Sequence, residues 1–133
     1  MKLILTLAIP SLIYFFGVGE QPIDVFEEQM SYTDCVVKYR SNWGEDCSQC
    51  SSWNDSYVVY LKNTCDQAID VMVCVQEENK EWKRFQHLSM APSDSLRAYA
   101  CVGTGKYLAW GRKAGDESVV FPTIEQVNEQ YKD

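Results

Sequence analysis

The sequence predicts a mainly β fold: a small antiparallel sheet or sandwich of five to six strands, carrying a C-terminal helix and stapled by disulfides. Three observations point there. From Ser56 onward, β-branched and aromatic residues recur with a period of two, and turn residues interrupt them roughly every dozen positions. No helical stretch of about 10–15 residues separates these runs, so the crossovers that a parallel sheet needs are missing. Six cysteines (Cys35, Cys47, Cys50, Cys65, Cys74 and Cys101) fall in a chain of 133 residues. An even count in a short exported chain reads as a disulfide framework, with all six as half-cystines and the connectivity open.

The first element supplies the export argument. Lys2 precedes an apolar run from Leu3 to Phe16, broken only by Thr6, Pro10 and Ser11, and Gly17-Val18-Gly19 then offers a small-x-small site. That order of charge, apolar stretch and small residues predicts a cleaved signal peptide over residues 1–19. A membrane anchor would need about 20 apolar residues, which this run does not reach. The expected location is therefore secreted, extracellular or periplasmic, with no membrane attachment once the signal is removed.

Residues 20–55 read as an irregular, cysteine-bearing N-terminal arm lying over the domain that follows. Ile23 to Met30 suits a turn or two of helix and Cys35 to Tyr39 a short strand, while Ser41 to Ser52 is polar and loop-like. Residues 56–133 form the β-rich domain. Tyr57 to Lys62 is a strand, and Asn63-Thr64-Cys65-Asp66 a turn. Ile69, Val71, Val73 and Val75 alternate with Asp70, Met72 and Cys74, which places four branched side chains on one face. The Glu77-Glu78-Asn79-Lys80 turn leads to a strand over Glu81 to Leu88, and Ala91-Pro92-Ser93-Asp94 to one over Leu96 to Val102. Gly103-Thr104-Gly105 is expected to close a tight hairpin into Lys106 to Arg112. In the tail, Thr123 and Gln126 have capping-box spacing, and Ile124, Val127 and Tyr131 recur on one helical face.

Charge and composition narrow the function. A formal net charge of −7 speaks against nucleic-acid partners, which need cationic surface. Cys47-Ser48-Gln49-Cys50 has redox spacing but lacks a thioredoxin-like βαβ setting, and as half a zinc site it lacks a second half. His87, the only histidine, would need an orienting acid and a nucleophile such as Ser89, Asp94 or Ser95 beside it, and no nucleophile-elbow motif is present. The carboxylates Glu27-Glu28, Asp46, Glu77-Glu78 and Asp116-Glu117 sit in turn-like or terminal positions, where they read as solubilising rather than as an acid pair across a cleft. Asn54-Asp55-Ser56 matches a glycosylation sequon. No catalytic group, metal or cofactor is assigned.

The aromatics carry the binding expectation. Trp43 and Trp53 stand in the polar arm, where core burial is least assured, and Trp82 adjoins Lys83 and Arg84 as a small basic-aromatic island. These features predict a non-catalytic binding module for a protein or carbohydrate partner, in the manner of an inhibitor. The competing expectations are a small exported enzyme or thiol-redox protein using His87 or the Cys47/Cys50 pair, and a structural envelope component without a discrete ligand.

Overall fold

In the computed structural model, residues 32–132 can be described; the expected signal peptide and the helical turns expected over Ile23–Met30 lie outside the described residues. Six strands form two three-stranded antiparallel sheets: β1 (Val36–Trp43), β2 (Tyr57–Asn63) and β5 (Ser95–Ala100) make one, in the order β1-β2-β5. The other holds β4 (Trp82–Met90), β3 (Ile69–Glu77) and β6 (Gly103–Lys113), in the order β4-β3-β6. A short helix, α1 (Ile124–Gln130), follows. The fold is thus the mainly β arrangement that the alternation predicts, and the sandwich rather than the single sheet.

The central strands explain why. Tyr57, Val59 and Leu61 of β2 face Ile69, Val71, Val73 and Val75 of β3 in one buried cluster, joined by Met90, Ala98 and Ala100. Burying a Val, Leu or Ile side chain contributes about 1.5–3 kcal/mol, so this layer supplies most of the drive to fold. The opposite faces are covered as well. Val58 and Tyr99 pack against Cys47 and Cys50 of the arm, whereas Met72, Cys74 and Trp82 pack against Val127 of α1. The helix is anchored by the expected device: Thr123 accepts from the Gln126 N–H at 3.1 Å and Gln126 Oε1 accepts from the Thr123 N–H at 2.9 Å.

Several expectations are corrected. The arm is not wholly irregular, because the strand expected over Cys35–Tyr39 runs on to Trp43, with a bulge at Tyr39 where the register slips between Lys38 and Arg40. Its polar residues are tolerated because β1 is an edge strand with both faces largely exposed. The expected hairpin at Gly103–Gly105 is also absent, since β5 pairs with β2 and β6 with β3, in different sheets. The chain crosses between layers here instead. The Glu77 carboxylate accepts from the N–H groups of Cys101 and Val102, both at 3.2 Å, and Gly103 N–H donates to the Asp55 carbonyl at 3.0 Å. Gly103 is required for the crossing, because a Cβ there would lie 2.5 Å from Tyr57 Cβ. Glu77 therefore ties backbone together rather than solubilising a turn.

The sulfur framework is smaller than expected. Cys35 is bonded to Cys65 and Cys50 to Cys101, while Cys47 and Cys74 are buried thiols. The last two belong to clusters on opposite outer faces of the sandwich, so they have no means of meeting. Asn63, read as part of a turn, is fully buried at the end of β2. Its amide donates to the carbonyls of Gln67 (2.8 Å) and Met90 (3.0 Å), and its oxygen accepts from Cys65 N–H at 2.9 Å.

Candidate binding surface

The loop between β1 and β2 begins and ends at one neck. Gly44 N–H donates to the Ser56 carbonyl at 2.9 Å, and Ser56 N–H donates to the Trp53 carbonyl at 3.2 Å. Gly44, at φ +76°, makes the turn away from β1 in a conformation that side chains disfavour. Trp43 and Trp53 therefore leave the backbone beside this neck, and both are solvent-facing, at 59% and 44% exposure. Trp43 rests against the Tyr57 ring, centroids 4.9 Å apart, and its indole lies over Gly105, where a Cβ would come within 3.1 Å of Cζ2.

The loop that carries these tryptophans is held from inside. The Cys50–Cys101 bridge ties it to the end of β5. Ser56 Oγ donates to the Glu45 carbonyl at 2.8 Å. The Glu45 carboxylate accepts from Asn42 Nδ2 at 2.7 Å, from the Tyr60 hydroxyl and from Arg97 Nε at 3.2 Å. Those donors, Tyr60 first, hold the Glu45 carboxyl below the usual carboxylate range. Arg97 Nη2 reaches on to the Asp46 carbonyl at 2.8 Å and Cys47 Sγ at 3.7 Å. Burial works against the Arg97 charge, but its bonds to Tyr60, Glu45 and Cys47 outweigh that and hold it firmly protonated. A loop with little apolar content is made into a rigid platform by one covalent and one polar anchor.

Trp82 behaves differently from the other two. It is only 7% exposed; its N–H donates to Asn128 Oδ1 at 2.8 Å, and its indole N–H to the Tyr131 carbonyl at 2.7 Å. The basic-aromatic island is therefore dismantled: the indole is a core element that docks α1, and Lys83 lies over the Tyr99 ring, 4.4 Å from its centroid. Trp82 does form part of an open depression of about 480 Å³ with Gly105, Lys106, Leu108, Tyr131 and Lys132. Gly105 belongs to this depression and also lies under Trp43, so the structure brings Trp43 and Trp82 to the same end of the sandwich. Gln76, opposite Trp82 across the ladder, accepts from Thr104 Oγ1 at 2.8 Å, and its buried Nε2 has no partner among the described residues.

The residues weighed for catalysis are not assembled. His87 is half-buried on β4 opposite Val71, and no hydrogen bond joins it to Ser89, Asp94 or Ser95. Ser89 N–H is engaged by Asp70 and Asp94 Oδ1 by Ser95 N–H. Cys47 and Cys50 close a turn, Cys50 N–H to the Cys47 carbonyl at 2.9 Å, but Cys50 is bonded to Cys101 rather than to Cys47. Burial pushes the Cys74 thiol up to about 11, leaving it protonated under α1. Among the described residues, no group of three or more His, Cys, Asp or Glu side chains could hold a metal ion, and no helix is long and apolar enough to cross a membrane.

Sequence reasoning missed Glu45 and Arg97, whose partnership spans residues 52 apart, and the exposed Tyr39; Tyr131, expected on the docking face of the helix, remains 39% exposed. The basic residues Lys38 and Arg40 around Tyr39 were a readable signal; the Glu45–Arg97 pair had none. Searches against protein-family models, curated proteins and solved structures found no match to this chain.

Proposed function

We propose that this protein is an exported, non-catalytic binding module that holds a protein or carbohydrate partner on the surface around Trp43 and Trp53. One observation carries the reading: two tryptophans in a small domain stay 59% and 44% exposed although the loop between them is fastened by a disulfide and a carboxylate–arginine network. Leaving large apolar rings in water forgoes burial energy, and indoles in fixed positions are the residues most often found at the centre of recognition surfaces. The two disulfides support export, since such bonds persist in oxidising compartments.

The test is to probe peptide and glycan arrays with the oxidised protein and with Trp43→Ser and Trp53→Ser variants. Trp43→Ser also removes the ring contact with Tyr57, so both variants are first shown to be folded by their melting curves; loss of a saturable signal in folded variants then reports on recognition itself. Arrays that give no saturable ligand, or a ligand that both variants bind equally well, overturn the proposal. A hit confined to one array also decides between peptide and sugar.

A further inference from the structure

We propose that the free edge of β1 takes up an extended acidic segment of a partner protein as an added antiparallel or parallel strand. This rests on the binding-module reading, because Trp43 ends the same strand, and it names the partner class.

The backbone provides the first ground. β1 pairs with β2 on one side only, and among the described residues its other side has no backbone partner. Beyond the bulge, Arg40 to Trp43 runs in unbroken register with Tyr60 to Tyr57, which leaves a short regular template of outward N–H and C=O groups. The side chains provide the second. Val37, Tyr39 and Trp43 on this strand are 40%, 47% and 59% exposed, an apolar content unusual for an edge that meets only water.

Charge selects the occupant. The chain is acidic at −7, yet β1 carries Lys38 on one face and Arg40 on the other, and Lys62 of β2, opposite Val37, shares the Arg40 face. None of the three makes an ion pair among the described residues. Each sits over an aromatic ring instead: Lys38 5.7 Å from the Tyr107 centroid, Arg40 4.1 Å from Tyr60 and Lys62 5.3 Å from Tyr39. A cation positioned on a ring face still has its outer side open to a carboxylate. Self-association is disfavoured by the same residues, since pairing β1 with β1 of a second copy would set Lys38 and Arg40 against like charges. The bulge and the cations, which guard an edge against indiscriminate pairing, thereby act as a filter for acidic strands.

The experiment uses the oxidised full chain and three labelled peptides read by fluorescence anisotropy: alternating Glu-Val, alternating Lys-Val, and Glu-Val N-methylated at every second amide. The Glu-Val peptide should bind about tenfold or more tighter than Lys-Val and weaken as salt rises. N-methylation should abolish binding, because it removes the ladder bonds and leaves the charge. The double variant Lys38→Glu/Arg40→Glu, folded by its melting curve, should reverse the preference. Equal binding of Glu-Val and Lys-Val, indifference to N-methylation, or no saturable Glu-Val binding overturns the proposal. Because these peptides contain no array-derived ligand, their failure leaves a Trp43-dependent array hit standing, and the two proposals fail separately.

Discussion

The outer face of the β1-β2-β5 sheet is covered by a loop and that of the β4-β3-β6 sheet by a helix, and each of these faces carries one carboxylate–arginine pair. Glu45–Arg97 fastens the loop to β5, whereas Asp70–Arg112 joins β3 to β6 beside the segment that leads to the helix. On the helix side, Asp70 and Arg112 meet at 2.8 Å with side chains only 3% and 16% exposed; on the loop side, Glu45 and Arg97 meet at 3.2 Å at 25% and 34%. The helix brings Val127, Ile124 and the neighbouring Phe121 onto Met72, Cys74 and Trp82, and no disulfide joins it to the sheet. The loop brings little beyond Cys47 and Cys50, and it is bridged covalently to β5. Apolar burial and crosslinking are thus alternative ways of holding a cover, and the polar cover is the one that leaves tryptophans facing water.

That contrast can be broken at its strongest point first. Replacing Cys50 and Cys101 together by Ser should cost about 4 kcal/mol, the chain-entropy value for a separation of 51 residues. Denaturant unfolding of the oxidised protein measures it, and a loss well below 1 kcal/mol would mean that the polar network alone holds the loop.

Next comes Asp70→Asn, expected to cost about 3 kcal/mol because Arg112 is left buried without its counter-charge. Burial pushes the Asp70 carboxyl up, but donation from Ser89 N–H, Arg112 and Gly115 N–H outweighs it, so the folded carboxyl lies below its usual range. A depressed carboxylate stabilises fully above its unfolded value of about 3.9 and loses that contribution as pH falls through the lower folded value. Urea titrations across the acid range should therefore show a steeper decline in the native protein than in the Asn variant, which keeps only the contributions of other depressed carboxylates such as Glu45.

Val127→Ala should cost about 2 kcal/mol, from two methyl groups removed out of a fully buried site and the cavity left behind. A smaller shift in midpoint would show that α1 is held by its cap and the Trp82 hydrogen bonds rather than by packing. Glu45→Gln should cost less, about 0.5–1 kcal/mol, since the pair is partly solvated; a loss equal to that of Asp70→Asn would erase the distinction between the two anchors. The smallest expected effect is a null one. Two thiols should resist a thiol reagent in the native state and both should react on denaturation, one from beneath each cover; none reacting after unfolding would mean that all six cysteines are paired.

Much of the fold was legible because its causes are local. Ile69, Val71, Val73 and Val75 announce one face of β3, and Thr123 with Gln126 announces the start of α1, since both patterns lie within a few residues. The hairpin expected at Gly103–Gly105 was misread because glycine signals a tight backbone without saying whether the chain turns back or crosses over; the clash with Tyr57 that demands Gly103 is set by a strand far away in sequence. Trp43, Trp53 and Trp82 were alike as residues in polar surroundings. Only the arrival of α1 separates the buried one from the exposed pair.

The alternation of side chains, the cap of the helix and the turn chemistry were determined by the sequence itself, because each depends on neighbours a few bonds apart. Which cysteines bond, how six strands divide between two layers, and which indoles remain in water were decided only by the tertiary structure. Those outcomes depend on distances between residues tens of positions apart, and such distances come into being when Val58 and Tyr99 close on the loop and Met72 and Cys74 on the helix.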